Sequence, residues 1–474
     1  MPERIVEATA YGVVPDDDGD DAIALDRAIT AASAGAIVRL PRGRLVCSRP
    51  LLIPHPRVHL RGAGSGSTTL AFTTPLRAAL GERGPAWSFR GGLVWFTRHE
   101  PSARPADDGR HPLHRVLVLD DVDRELPLAA GATQVPLRTR HAEGIRPAAG
   151  PGSWIPVEVV FEGGTALADR ILGAPGYEWS EVGWMDRGRW RFAIPNEARL
   201  AADRRGLELR KPLRLGSSGP GTSISIDALP SPLLGCGIEG VTLAMPEHAV
   251  ALHLQDAGWN GIMMEEVGQG LIRDVHVVNA DNGIILERCW NVTIEQVELR
   301  GQPNHHAVSY RASHDILMRR FRILSRSMHG LSAQDLSSGN VWCDGEMHGG
   351  TFDSHRGMPF QSVRTRIRLV DPTGLPGGDA VAGPFQGRGM VHWDIEVQTS
   401  GLKPRQIARA MPWIAQPAAM PHGVIAGIRG IGVHSATRAW AMPFLAPDQR
   451  ALVINAAVLP PLPNIPPSSD PELP

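Results

Sequence analysis

Between Gly237 and Leu369 the chain alternates apolar and polar residues in short runs separated by turn-forming residues. The runs are Gly237-Ile-Glu-Gly-Val-Thr-Leu243, Leu271-Ile-Arg-Asp-Val-His-Val277, Asn291-Val-Thr-Ile-Glu-Gln-Val-Glu-Leu299, His314-Asp-Ile-Leu-Met-Arg-Arg-Phe-Arg-Ile323, Asn340-Val-Trp-Cys-Asp-Gly-Glu-Met347 and Arg364-Thr-Arg-Ile-Arg-Leu369. Period two sends Ile, Val and Leu to one side and Arg, Glu and Gln to the other, which predicts strands with one buried face. Asn291, Asp315 and Asn340 stand at equivalent starts, 24 and 25 residues apart. Repeats of about 20–50 residues signal a stacked architecture, and this spacing fits one three-strand coil per repeat. An Asn ahead of an apolar strand supports a tight turn and can ladder its amide from coil to coil.

The N-terminal region follows a different pattern. An acidic loop, Pro15-Asp-Asp-Asp-Gly-Asp-Asp21, precedes Ala22, Leu25 and Ile29, which share one face of a short helix. Asp20 or Asp21 is placed to cap that helix, its charge suiting the positive end of the dipole. Then Ile37-Val-Arg-Leu-Pro-Arg-Gly43 and Val58-His-Leu-Arg-Gly-Ala-Gly64 read as strands closed by Pro and Gly turns. This order, with the later coil patterning, resembles the pectate-lyase-like right-handed parallel β-helix superfamily. The resemblance implies a helix plugging the open end of a solenoid and a groove on one face that holds a polysaccharide. It carries over fold and substrate class. The sequence set of the polygalacturonase hydrolases is present only as fragments, Asp281-Asn-Gly and His329-Gly, so no family's catalytic residues are transferred. The Asp16–Asp21 cluster lacks the alternating ligands and distal Glu of a calcium loop and reads as cap and solvated loop. No cofactor is expected; a calcium ion is the one left open.

The expected fold is therefore all-β, a right-handed parallel β-helix with an N-terminal capping helix and an inserted small β-subdomain. Residues 1–115 form the cap and first coils. Residues 116–232 break the coil spacing with short alternating strands such as Ser153-Trp-Ile-Pro-Val-Glu-Val-Val160 and Leu207-Glu-Leu-Arg-Lys-Pro-Leu213, and read as the inserted subdomain. Residues 233–455 carry the main coils. Residues 456–474 are a Pro-rich tail that cannot join a sheet interior and reads as an extended surface arm, open to a role in homo-oligomer contacts, or as a disordered end. At 474 residues the chain is long for one compact domain, but a solenoid grows by adding coils.

Charge and cysteine content narrow the partners. The net charge of −1 provides no global field for nucleic acid or an anionic membrane surface. Cys47, Cys236, Cys289 and Cys343 lie far apart and read as buried free thiols rather than disulfides or zinc ligands. The opening Met1-Pro-Glu-Arg-Ile-Val-Glu-Ala-Thr-Ala10 has no basic stretch followed by an apolar run, and no run is long enough to cross a bilayer. Cytoplasmic, phage-borne and leader-removed settings all fit, so the location is left open. The expected partner is a polysaccharide or oligosaccharide.

The chemistry concentrates late in the chain. Six of the 18 histidines, His305, His306, His314, His329, His348 and His355, fall within one stretch, beside Asp335, Glu346, Asp353 and Arg356. Arg388 and His392 follow. One coil step stacks residues about 24 apart at a strand separation of roughly 4.8 Å, so His305/His306, His329 and Asp353/His355 can form a ladder on one outer face. In an extended strand Asp353 and His355 point the same way, and the carboxylate can fix the tautomer of the imidazole and raise its basicity. Arg356 points opposite unless Gly357 turns it, and either it or Arg388 can clamp a substrate carboxylate. The expected catalytic set is Asp353, His355, Arg356, His329, Asp335 and His306. The expected substrate-binding set is His305, Glu346, Arg388, His392, Trp259 and Trp184. His276 and His314 read as solvated. A metal site from His348, Asp353 and His355 lacks any defining spacing, and no metal ligand is assigned. Trp154, Trp179, Trp184 and Trp190, with Tyr177, fit a sugar-stacking wall and a small aromatic core equally well. Three readings follow: a polysaccharide lyase, slightly favoured by the wealth of His and Arg; a glycoside hydrolase with two carboxylates drawn from Asp335, Glu346 and Asp353; and a phage tailspike-like glycan binder or depolymerase.

Overall fold

The computed structural model of the protein describes residues 4–81, 87–99, 101, 128–136, 153–182, 191–202, 206–217, 222–229, 232–373, 377–378, 382–399, 403, 414, 416–430 and 445–454. Parallel strands wind into a solenoid with three faces. The largest is a 14-stranded sheet whose strands Val58–Arg61, Gly237–Ala244, Leu271–Val278, Thr293–Arg300, Leu317–Ile323, Val341–His348, Val363–Val370, Val391–Gln398 and Val424–Arg429 neighbour one another in chain order. The second is six-stranded: Leu51–Ile53, Val94–Phe96, Asn260–Glu265, Asn282–Glu287, His306–Arg311 and His329–Gln334. The third is narrow, with Leu233–Leu234 beside Val267–Gly268 and then single bridges through Trp290, His314, Ser338 and Phe360.

Coil-to-coil register stacks like residues. Ile238, Ile272, Ile294, Met318 and Trp342 form one interior column, and Arg364 and His392 continue it. On the large sheet His276, Glu298, Arg322, Glu346, Arg368, Glu396 and Arg429 occupy another column in which acid and base alternate. Opposite charges directly across neighbouring strands stabilise a sheet by roughly 0.2–1 kcal/mol per pair.

Left-handed residues turn the corners. Gln269, Asn291, Asp315, Gly339 and Gln361 have φ of +56°, +54°, +58°, +68° and +49°, and the amide of each donates to the carbonyl of the coil above. The sequence spacing placed Asn340 in this column. The position belongs to Gly339, where a left-handed backbone costs least, and Asn340 is instead buried, accepting from the Ile316 amide at 3.0 Å. The coil step here is thus 24 and 24 residues. The side-chain ladder expected of Asn291 and Asp315 does not form; both bind the antiparallel sheet described below, through Lys211 and Arg214. The amide ladder occurs at Asn260 and Asn282, 2.8 Å apart.

An antiparallel five-stranded sheet, ordered Ser223–Ala228, Ile155–Glu162, Arg191–Leu200, Gly206–Leu209 and Gln134–Pro136, packs with the helix Gly164–Leu172 against the third face. Its core includes Phe161, Phe192 and Trp179 and is continuous with Leu336, Met358 and Phe360 of the solenoid. Trp184 and Trp190, the segment from Val116 to Leu119 and the Pro-rich tail at 456–474 lie outside the described residues.

At the N-terminus the helix Ala22–Ala31 buries Ala22, Ala24, Leu25, Ala28 and Ile29. Asp20 accepts from the Ala22 amide at 3.1 Å, while Asp21 accepts from Val14 and Val46 at 2.9 and 3.1 Å and ties the loop to the first coil. Cys47, Cys236, Cys289 and Cys343 are buried free thiols, as expected. Among the described residues no helix is long and apolar enough to cross a membrane.

Candidate functional site

One column of the six-stranded face gathers the titratable side chains. Asn260, Asn282, His306 and His329 stand in register on successive coils. Glycine follows three of them, and Ala307 the fourth, for a steric reason: a Cβ at Gly283 would meet Leu299, and one at Gly330 would meet Met347. After His329 the next coil turns through left-handed Gly349 and Gly350 and delivers Asp353 and His355 beside the column, with Ser354 bridging Ala333.

The result is a compact group. One ligand-type atom from each of His306, His329, Asp353 and His355 lies within 4.8 Å of all the others. Ring centroids are 4.6 Å apart for His306 and His329, 4.8 Å for His329 and His355, and 5.3 Å for His306 and His355. His305 packs at 4.4 Å from His306. The Asp353 carboxylate is buried and well supplied with donors: Ser332 Oγ at 2.8 Å, the Gly377 amide at 2.8 Å and His355 Nδ1 at 3.0 Å, with His329 Nδ1 at 3.5 Å. Burial works to raise its pKa, but the hydrogen bond from His355 and the neighbouring imidazoles hold it down to about 2.

Each imidazole has a defined partner. His306 Nδ1 lies 3.2 Å from Asn282 Oδ1. An amide oxygen can only accept, so Nδ1 carries the proton and Nε2 presents its lone pair. That Nε2 is buried and has no hydrogen-bond partner among the described residues. Burial, then the facing imidazoles, lower the His306 pKa well below its ordinary value. His305 Nδ1 pairs with Asp256 at 3.0 Å, and its Nε2 is likewise buried and unpartnered. Phe89 covers both rings at 6.1 and 6.5 Å. His355 is the most open member, its side chain 15% exposed against 4% for His329. A solvated outer-face ladder was expected; loop 87–93 and the segment near Gly377 instead shut most of the group in.

The other expected site residues go elsewhere. Arg356, at φ +70°, donates to Gly383 and Gly378 carbonyls at 2.8 and 3.1 Å and lies over Phe385 at 3.8 Å, fastening the covering segment. Asp335 sits behind Gly357 and faces Arg311 at 3.5 Å. Glu346 belongs to the charge ladder of the large sheet, with His348 at 2.5 Å and Arg368 at 3.7 Å, which also removes His348 from any site with Asp353. His392 is interior because it shares the core column: its Nδ1 meets the Ile414 carbonyl at 2.8 Å, and burial with Arg364 nearby pushes its pKa to about 3. Trp259 packs in the core against His248. Arg388 is exposed, and its amide donates to Ile171 at 2.8 Å. His314, read as solvated, is buried, bonded through Nδ1 to Ser338 at 2.8 Å and pushed to about 3 by burial. Trp184 lies outside the described residues.

Residues not anticipated complete the surroundings. Asp281 accepts from the amides of Gly258 and Trp259 at 3.0 and 2.9 Å and from His248 Nε2 at 2.9 Å. Arg364, fully buried over Trp342 and Phe352, donates to the carbonyls of Leu331 and Asp353 at 3.3 and 3.2 Å and so braces the floor beneath Asp353.

Comparison with known proteins agrees with this architecture. The family described as rhamnogalacturonase A/epimerase, pectate lyase-like, matches residues 5–86. No curated protein matches the sequence. The tailspike gp61 of Pseudomonas phage phi297 has a similar structure, with a TM-score of 0.51 at 11% identity over 90% of this chain and 64% of the tailspike. The tailspike gp49 of Pseudomonas phage LKA1 gives 0.46 at 13% identity, over 89% and 63%. A hyperthermoactive exopolygalacturonase from Thermotoga maritima gives 0.36 at 12%, over 84% and 88%. The chain thus spans less than two thirds of the length of either tailspike. With its parallel three-faced coils and its helix-capped opening, the chain has the right-handed parallel β-helix fold, and its residues 5–86 match a family described as pectate lyase-like.

Proposed function

We propose that this protein cleaves an acidic polysaccharide by β-elimination at the imidazole group around Asp353. The observation that carries this is the composition of the group: three imidazoles and a single carboxylate within 4.8 Å. Hydrolysis by paired carboxyls needs one acid and one base or nucleophile facing the sugar. Asp353 is fully buried and already accepts from Ser332, Gly377 and His355, so it holds its neighbours in place rather than facing a sugar. Asp335 and Glu346 are engaged elsewhere.

Imidazole–carboxylate pairs suit proton abstraction. His355–Asp353 and His305–Asp256 each tie Nδ1 to a carboxylate, which leaves Nε2 to take a proton. In the elimination one such imidazole removes the proton α to the uronate carboxyl. The C–H pair becomes a C=C bond, and the glycosidic oxygen departs and is protonated. A cation must offset the charge that develops on the uronate carboxyl. The family matching residues 5–86 is named for a rhamnogalacturonase, an epimerase and a pectate lyase, which supports a carbohydrate substrate.

The test is a panel of uronate-containing and neutral polysaccharides. Elimination yields unsaturated ends that absorb in the ultraviolet. New reducing ends without that absorbance would mean hydrolysis, and binding without cleavage would mean a glycan-binding spike; either overturns the proposal.

A further inference from the structure

We infer that His306, His329, Asp353 and His355 form a binding site for a divalent first-row transition-metal ion of the zinc class. Four ligand-type atoms from three coils converge within 4.8 Å. For tetrahedral zinc with bonds of about 2.1 Å, ligand atoms sit roughly 3.4 Å apart, so the widest gap closes by at most about 1.4 Å.

The second observation is the unpartnered Nε2 of His306, in a residue only 3% exposed. Its Nδ1 proton is committed to Asn282 at 3.2 Å, so the lone pair of Nε2 has no donor among the described residues. A buried acceptor left unmade costs free energy, on the order of 1–3 kcal/mol. A metal ion satisfies it. The support around the group is what ligands require: Asn282 orients His306, while Ser332 and the Gly377 amide hold Asp353. Three nitrogens and one oxygen match the preference of zinc, nickel, copper or iron; calcium, which takes about six to eight oxygens, does not fit.

Access runs through His355, the member with most exposure. With the ion bound His355 is a ligand, and His305–Asp256 is the adjoining pair left to accept a proton. The four protein ligands fill a tetrahedral shell, so the ion meets the uronate carboxyl by expanding to a fifth ligand and offsets its charge there. That role rests on the elimination proposed above, but the site itself does not, because metal binding is measured without any substrate.

The test uses the full chain, stripped with a chelator and titrated with Zn2+ alone by calorimetry, with Co2+ absorption as a second readout of ligand geometry. The expected result is one ion per chain, a thermal midpoint raised by Zn2+, and a ligand-field spectrum with Co2+. His306→Gln is expected to weaken Zn2+ binding by at least about 100-fold, and Asn282→Ala, which touches no ion, by about 10- to 100-fold. His348→Ala, on the large sheet, is expected to bind as the wild type does. No uptake by the wild type, or equal uptake in wild type and His306→Gln, overturns the inference. If His306→Gln does not fold, equal uptake by wild type and Asn282→Ala does so. Absence of elimination by the Zn2+-loaded wild type would instead sink the elimination reading and leave the metal site standing.

Discussion

His306 and His329 stand in register on adjacent parallel strands with their rings stacked 4.6 Å apart. This ties the site to the repeat itself: a coil step of 23 residues converts two separate histidines into a face-to-face pair. Asn260 and Asn282 continue the same column, so an amide ladder gives way to an imidazole ladder at the same position.

Asp353→Asn is expected to abolish turnover and also to lower stability. The carboxylate is fully buried and accepts from Ser332, Gly377 and His355. An amide accepts with only one atom, so the cost is about 1–3 kcal/mol. Urea unfolding of the two proteins checks it, and an unchanged midpoint would contradict this buried hydrogen-bond network. A mild, surface-like effect would have followed from the outer-face position expected of the sequence.

Acid should unfold the protein through interior histidines. His314 and His392 have pKa values pushed down to about 3, below the ordinary value near 6.5 that they recover when unfolded. Between those values the unfolded state binds more protons, so stability rises with pH. It is fully present above about pH 6.5 and is lost as pH falls toward 3, by on the order of a few kcal/mol for each imidazole. Denaturant midpoints measured from pH 7 to 4 should fall steadily, and His314→Gln should flatten the slope.

Arg364→Ala is expected to destabilise the fold by about 3–5 kcal/mol, since it opens a cavity and strips donors from two buried carbonyls. Those carbonyls belong to Leu331 and Asp353. Arg364→Met fills most of the volume and should recover roughly half of the loss. Thermal melts of the pair separate packing from hydrogen bonding.

Glu346→Gln should leave turnover unchanged and shift stability by less than about 1 kcal/mol. Its partners are Arg368 and His348 on the half-exposed charge ladder, remote in role from the imidazole group. A large loss of activity would return Glu346 to the site.

The repeat was legible in the chain because apolar alternation survives coil after coil, and the His305–His355 spacing already placed the imidazoles one rung apart. A further signal was present and is clear in register: Asn260-Gly-Ile, Asn282-Gly-Ile, His306-Ala-Val and His329-Gly-Leu are one motif at steps of 22, 24 and 23 residues. Writing out the register would also have shown His276, Glu298, Arg322, Glu346 and Arg368 as one alternating column. Periodicity could not reveal what covers a face. Phe89, Asp256 and Gly377 reach the imidazoles from loops far away in the chain, and such contacts carry no local pattern. Nor could it show that the interior column would accept Arg364 and His392, which read as outward polar residues until Trp342 and Phe352 are seen beside them.

The most direct measurement compares wild type, His329→Ala and His355→Ala on whichever uronate polymer the wild type cleaves, following unsaturated product by ultraviolet absorbance and folding by circular dichroism. Both variants should remain folded while turnover falls at least about 100-fold, the range lost with a positioned acid–base group. Wild-type turnover in both folded variants would remove the imidazole column from the chemistry.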